Sequence, residues 1–247
     1  MKSTHCLYTA TYADLKESTD PRDVAELTKW NLHGRRAGQF LQERFFLRRC
    51  FNHYLEQDDA TPLPDTCRLS HGKPYFLGDP AFYNLTNTGQ ALLLLLSHDG
   101  PVGVDAECLR KRRNLQAVAK KVLGPAEWQY FTSLASTDEE NNAAQLDFFL
   151  QRWTWRECLL KASGIALAGL SSVVGDDKER DKVTSPLNVS GLMYSYALSD
   201  VGLGEGWFTI FPGDNTGDLS TLGYSPQGEG FTFSALDIKA RACAQVN

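Results

Sequence analysis

The chain lacks any apolar run long enough to cross a bilayer. Its longest, Ala91–Leu96, stops far short of the ~20 residues a membrane helix needs. It has no CxxC pair and no paired histidine spacing. Its six cysteines (Cys6, Cys50, Cys67, Cys108, Cys158, Cys243) are scattered, which argues against zinc ligation and a disulfide framework and leaves buried free thiols as the expectation. Positive charge is not in excess either. At a net charge of -5 no global field attracts nucleic acid or an anionic membrane, so an anionic partner must meet a local basic patch. The first residues, MKSTHCLYTATYA, lack the continuous apolar core of an export signal, so the expected location is the cytoplasm. The sequons at Asn84 and Asn188 are discounted on the same ground.

What is present is the composition of a globular protein. Hydrophobic residues make up 42%, with 13 Phe and 5 Trp, which excludes a disordered or collagen-like chain. At 247 residues the chain can bury about three-quarters of its unfolded surface without disulfides or metal. Leu7–Tyr12 reads as a strand, and Asp20-Pro21 as a helix start with an N-cap residue followed by Pro at the first helical position. Apolar residues at three-to-four spacing predict a second helix over Arg35–Glu56, with Arg35, Arg36, Arg44, Arg48 and Arg49 against a single Glu43 on its other face. Short apolar stretches bounded by turns predict strands at Pro74–Leu77, Ala91–Ser97 and Val102–Glu107, the middle one buried on both faces.

Helical segments follow at Asn114–Leu123 and Pro125–Leu134, joined at Gly124. A stronger one, Ala144–Gly164, ends on its glycine. Ser136–Asn142 and Gly175–Pro186 read as polar loops. Val189–Leu198, Trp207–Phe211, Leu219–Tyr224 and Phe231–Leu236 look like an antiparallel meander. The expected class is α+β. A division into 1–103 and 104–247 gives two lobes of similar build, with no sequence repeat between them.

Three elements carry chemistry. In Gly103-Val104-Asp105-Ala106-Glu107, strand alternation puts both carboxylates on one face, a hard-oxygen pair suited to Mg²⁺; a solvated strand end is the plainer alternative. Within WTWRECLLK, Trp153, Glu157 and Lys161 recur every four residues and share a helical face, where an exposed ion pair beside a core tryptophan is the plainer alternative. Lys73 sits in the turn GKPYF, and Tyr83–Gly89 (YNLTNTG) reads as a loop whose small hydroxyl and amide groups can meet phosphate oxygens, a plain β-turn being the simpler alternative.

In order and spacing these segments resemble the 4′-phosphopantetheinyl transferases of the two-lobed Sfp-like type, whose usual forms are GKP, FN-(I/L)-S-H-S, G-(I/V)-D-x-E and W-x-x-KE-(A/S)-x-x-K-x-x-G. The matches span residues 72 to 164. The resemblance implies two lobes in a pseudo-two-fold arrangement with the active site at their interface. It implies Mg²⁺ held by Asp105, Glu107 and Glu157. Phosphate would be contacted by Lys161 and by Thr86 and Asn87, Lys73 beside Pro74 would lie near the coenzyme, and its 3′-phosphate would be met by Lys29, Arg35, Arg36 or Arg44. Two positions depart from the pattern: Asn87 stands where the family has histidine, and Arg156 replaces the lysine of KE. Asparagine donates a hydrogen bond but carries no charge, which implies altered coenzyme affinity.

The implied reaction moves phosphopantetheine from coenzyme A to a carrier-protein serine, releasing 3′,5′-ADP, with Glu157 accepting the serine proton and Lys161 offsetting charge on the leaving phosphate. Arg110, Lys111, Arg112, Arg113, Lys120 and Lys121 form a basic run in an acidic chain, suited to an acidic carrier protein; a solvated basic helix is the plainer alternative. Because one chain supplies both lobes, a monomer is expected, with no nucleic-acid or membrane partner. The competing readings are a Mg²⁺-dependent nucleotide pyrophosphatase and a non-catalytic module that binds coenzyme A or a carrier protein.

Overall fold

A computed structural model describes residues 4–78, 80–135, 142–165, 170, 173–175, 182–184, 191–213, 219–227 and 230–246. The elements run β1 (His5–Thr11), α1 (Pro21–Lys29), α2 (Gly34–Tyr54), β2 (Thr66–Arg68), β3 (Pro74–Phe76), β4 (Phe82–Thr88), β5 (Ala91–Ser97), β6 (Gly103–Cys108), α3 (Leu115–Val122), α4 (Pro125–Ser133) and α5 (Ala143–Ser163). They continue with β7 (Val174–Gly175), β8 (Lys182–Thr184), β9 (Gly191–Ala197), β10 (Gly206–Phe211), β11 (Leu219–Gln227), β12 (Gly230–Ala235) and β13 (Ala242–Val246). One sheet has the order β12-β11-β1-β5-β4 and the other β6-β10-β9-β13-β8-β7; β2 and β3 form a separate hairpin.

Strand alternation stacks these elements in layers. Leu92, Leu94 and Leu96 of β5 face Phe46, Leu47, Cys50 and Phe51 of α2. The intervening Leu93 and Leu95 meet Val104 and Ala106 of β6 and Phe208 and Ile210 of β10, which makes the core between the sheets. Trp155, Cys158, Leu159 and Ala162 of α5 cover the remaining face of the second sheet with Met193 and Phe211. The order is therefore α2, first sheet, second sheet, α5. The five leucines of β5 are wholly buried, and each contributes about 1.5–3 kcal/mol relative to exposure.

Local signals set the ends of the helices. Asp20 caps α1 by accepting the Arg22 backbone N–H at 2.9 Å, and Gly124 precedes Pro125 with the Glu127 carboxylate returning to its N–H at 2.9 Å. At the end of α5, Gly164 takes the left-handed conformation, φ 72°. The arginine face of α2 meets acids rather than solvent anions: Arg44 pairs with Asp23 and Arg48 with Asp20, both flanking or within α1, and Arg49 pairs with Asp59.

Three expectations are corrected, and the sheets bear on the division at 103/104. YNLTNTG is largely strand β4 and not a loop, because its aromatic and threonine residues alternate: Tyr83 and Leu85 face the α2 core while Thr86 and Thr88 are buried on the other side. The C-terminal run is not one meander. β9 and β10 are antiparallel, but β11 pairs parallel with β1 in the first sheet. A division at 103/104 therefore does not separate the sheets, since β11 and β12 complete the first one. Within Gly175–Pro186, Lys182–Thr184 form strand β8 beside β13, while residues 176–181 and 185–186 lie outside the described residues, as do 136–141 of the other charged loop. The cysteines are all free thiols, with Cys6, Cys50 and Cys158 buried and Cys243 exposed. Among the described residues no helix is long and apolar enough to cross a membrane.

At Gly103 the layers come close together: a Cβ there would lie 2.1 Å from the Cys158 carbonyl oxygen. Gly103→Ala must push α5 off β6. It is expected to cost about 2–3 kcal/mol, read as a lower urea midpoint with an unchanged m-value; an unshifted midpoint contradicts this packing.

Candidate functional site

The edge strands of the two sheets, β4 and β6, lie side by side and are joined by side chains instead of a backbone ladder. Asn84 Oδ1 accepts the Val104 N–H at 2.8 Å and Thr88 Oγ1 accepts the Cys108 N–H at 3.0 Å. These two β6 donors, which face away from β10, are thereby satisfied. The polar positions of YNLTNTG thus serve first as the seam between sheets.

Because Val104 and Ala106 turn into the inter-sheet core, Gly103, Asp105 and Glu107 turn toward α5. The α5 residues one turn apart, Glu157 and Lys161, flank Cys158, the residue seated over Gly103. Lys161 Nζ donates to Asp105 Oδ1 at 2.6 Å and to Thr86 Oγ1 at 2.9 Å, and Thr86 Oγ1 lies 3.4 Å from the same carboxylate oxygen. Three segments that are distant in sequence therefore meet at one ammonium. Glu107 pairs with Arg112 at 2.8 Å.

Burial shapes the electrostatics. Desolvation pushes the Asp105 carboxyl up to about 6, against the pull of Lys161 and with a push from Glu107. Desolvation, then the negative charge of Asp105, pushes Glu157 up to about 7; Lys161 opposes this and Glu107 adds to it. The three carboxyls thus feel one another. Asp105 Oδ2 is buried with no hydrogen-bond partner. An orphaned oxygen within a set of mutually repelling hard-oxygen donors fits a divalent cation. As the side chains stand, Lys161 and Arg112 sit on two of the carboxylates, and among the described residues no three Asp, Glu, His or Cys side chains close around a common point.

The other expected residues are placed as follows. Asn87 is exposed and turned to the α2 side, where its amide donates to Glu43 Oε1 at 3.2 Å; that carboxylate also accepts from Tyr12 and Arg36, at 2.7 Å each. Lys73 donates to the carbonyls of Val102 at 3.1 Å and Ala162 at 2.9 Å, clamping the β2–β3 hairpin to the start of β6 and the end of α5. Pro74 opens β3 and lines a cavity of about 650 Å³ shared with α1, α2 and β4, while Arg35 is exposed in the first turn of α2. Arg156 turns away from the carboxylates into a buried pair with Glu127 of α4, beside Arg152.

Sequence reasoning missed Glu127, whose signal was its place three residues after a helix-opening Gly-Pro. It also missed the hydroxyl chain under the site, in which Thr209 meets both Thr154 and Ser195 at 2.9 Å and Trp155 donates to Ser195. Thr209 is the cross-strand neighbour of Asp105.

Burial pushes the Lys73 ammonium down to about 8. Between that value and the ordinary lysine value near 10.5, the unfolded chain binds the extra proton, so this group's contribution to stability rises with pH across the window. The stability of the wild type relative to Lys73→Met, from urea melts at about pH 7.5, 9 and 10, should therefore move in favour of the wild type as pH rises. A flat difference contradicts the burial of the charge.

Part of the chain is similar to known proteins. The chain is 35% identical over 105 residues to 4′-phosphopantetheinyl transferase AcpT of Salmonella typhi, covering 42% of this chain and 52% of that protein. The AcpT of Escherichia coli K12 is 34% identical over 105 residues, covering 42% and 51%. HetI of Nostoc sp., also named a 4′-phosphopantetheinyl transferase, is 29% identical over 109 residues, covering 42% and 43%. The chain spans about half the length of the curated relatives it matches. The family match covers residues 101–195, the stretch that holds β6, the basic segment and α5. Residues 101–195 match the model of the 4′-phosphopantetheinyl transferase superfamily, and this stretch of the chain is similar to that family.

Proposed function

We propose that the protein transfers the 4′-phosphopantetheine group of coenzyme A to a serine hydroxyl of an apo acyl or peptidyl carrier protein, with release of 3′,5′-ADP. The observation that carries this reading is the meeting of Asp105, Thr86 and Lys161 at one point, with the Glu107 and Glu157 carboxyls within electrostatic reach. A Mg²⁺ held by Asp105, Glu107 and Glu157 would, when bound, neutralise pyrophosphate oxygens.

The chain's own groups supply the rest. The Glu157 carboxylate would take the serine proton. The Lys161 ammonium, 2.6 Å from Asp105, would offset charge that grows on the leaving phosphate. Thr86 holds that ammonium in place through its hydroxyl. Most of the rate enhancement is then positioning and electrostatics.

The cavity beside β4 suits the nucleotide end of coenzyme A. Its cations are not equivalent: Arg44 is neutralised by Asp23, and Arg36 nearby by Glu43. Lys29 and Arg68 instead bracket the Trp30 ring, at 5.4 Å and 4.3 Å from its centroid. That pair is the best match for the 3′-phosphate, with the indole beside it for the base. On the other side of the carboxylates, Arg110, Lys111 and Arg113 are exposed and Arg112 is half-buried, a rim suited to an acidic carrier protein. The two sheets, each backed by a 21-residue helix, support a reading as two related lobes with the site between them in a single chain.

Incubation with coenzyme A, Mg²⁺ and a panel of apo carrier proteins, followed by intact-mass measurement, should show carriers gaining one phosphopantetheine. Asp105→Asn and Glu157→Gln should each abolish the gain while retaining the far-UV circular dichroism of the wild type. Release of 3′,5′-ADP without a carrier favours a pyrophosphatase, and wild-type turnover in either variant ends the assignment. Combined Lys29→Ala and Arg68→Ala should raise the KM for coenzyme A about tenfold and leave that for 3′-dephospho-coenzyme A nearly unchanged, equal effects on both ruling out the 3′-phosphate assignment.

A further inference from the structure

We propose that Arg112 is a latch on Glu107: its guanidinium occupies the carboxylate until an acidic protein surface, docking on the 110–113 segment, draws it away, so that docking and divalent-cation capture are coupled. The inference rests on the reading of Asp105, Glu107 and Glu157 as a cation-binding set.

Three observations carry it. Arg112 belongs to two places at once. With Lys111 and Arg113 it lines a cavity of about 580 Å³ between the 109–114 segment and the start of α5, and its Nη2 lies 2.8 Å from Glu107 Oε2. Its side chain is 28% exposed, so it is reachable from outside while it rests on the carboxylate. Second, the resting position satisfies it poorly. Arginine has five N–H donors in a planar fork, yet Nε is buried with no hydrogen-bond partner, and the Phe149 ring 5.9 Å away accepts none of them well. A buried donor left unsatisfied costs about 1–3 kcal/mol, whereas a carboxylate arriving from a partner can take the fork in two parallel bonds.

Third, the guanidinium and a divalent cation compete for the same carboxylate, and a positive charge on Glu107 weakens any cation bound beside it. Lys161 sits on Asp105 in a comparable way, but it has Thr86 as a second acceptor and does not belong to the basic segment. Arg112 alone among the site's described cations reaches from a carboxylate to the rim. Because binding couplings are reciprocal, a docked acidic protein must tighten cation binding by the factor by which the cation tightens docking.

Mn²⁺ titrated into the full chain with saturating coenzyme A, and followed by the electron paramagnetic resonance of the free ion, tests this without turnover. Arg112→Gln should bind Mn²⁺ about fivefold or more tightly than wild type, whereas Arg113→Gln, which keeps the Glu107 pair, should match wild type. Adding a serine-to-alanine apo acyl carrier protein should tighten Mn²⁺ binding to wild type and leave Arg112→Gln unchanged. An Arg112→Gln variant that binds Mn²⁺ no better than wild type overturns the latch, and a wild type indifferent to the carrier overturns the coupling. If neither wild type nor Arg112→Gln binds Mn²⁺, or if Glu107→Gln binds it as well as wild type, the cation-binding reading fails and the latch with it.

Discussion

The contact between α5 and β6 governs the site. With no side chain at Gly103, the helix backbone at Cys158 settles directly onto the strand. That seating fixes both the height and the rotation of α5, so that residues on either side of Cys158 look down on Asp105 and Glu107. The ends of the contact are tied by Lys73, whose ammonium bonds one carbonyl of each element. The hydroxyls of Thr154, Ser195 and Thr209 fill the space beneath with satisfied polar groups rather than apolar packing. A methyl group at position 103 would separate α5 from β6, and loss of the Thr209 hydroxyl would take a buried partner from Thr154 and Ser195.

Within that frame the carboxylates are under tension. Asp105 is almost wholly buried and Glu157 half-buried, and each is pushed toward its protonated form by the loss of water and by its acidic neighbours. A fold selected for stability alone would not gather them. Lys161 and Arg112 offset part of the repulsion, and the pair of Asp105 with Lys161 is the shorter at 2.6 Å. The same charge crowding that weakens the fold is what a multivalent cation and an anionic pyrophosphate together would relieve, and perturbed groups of this kind concentrate at functional sites.

Much of this was legible in the sequence, for identifiable reasons. Period-two alternation in GVDAE placed both carboxylates on one face, and four-residue spacing placed Glu157 beside Lys161, because both are properties of single elements. The run Ala91–Ser97 announced a strand covered on both sides. What the sequence hid depends on which element neighbours which. The alternation in YNLTNTG was masked by polar residues that bond β6 instead of water, so a strand looked like a loop. Leu219–Tyr224 was correctly a strand, but nothing local tells it to cross to β1 in the other sheet. The arginines of α2 looked like an anion site because their acidic partners, Asp20 and Asp23, come from the region of α1. Lys73, Arg112 and Arg156 could be singled out by type, but their partners are tertiary facts.

The central claim is that Asp105, Glu107 and Glu157 gather around one divalent ion when coenzyme A is bound. Anomalous diffraction from crystals grown with coenzyme A and Mn²⁺ tests it most directly. The account predicts manganese held by these carboxylates, with Arg112 displaced from Glu107. A pyrophosphate seated away from Asp105, with Lys161 and Arg112 still on their carboxylates and no manganese between them, would contradict it.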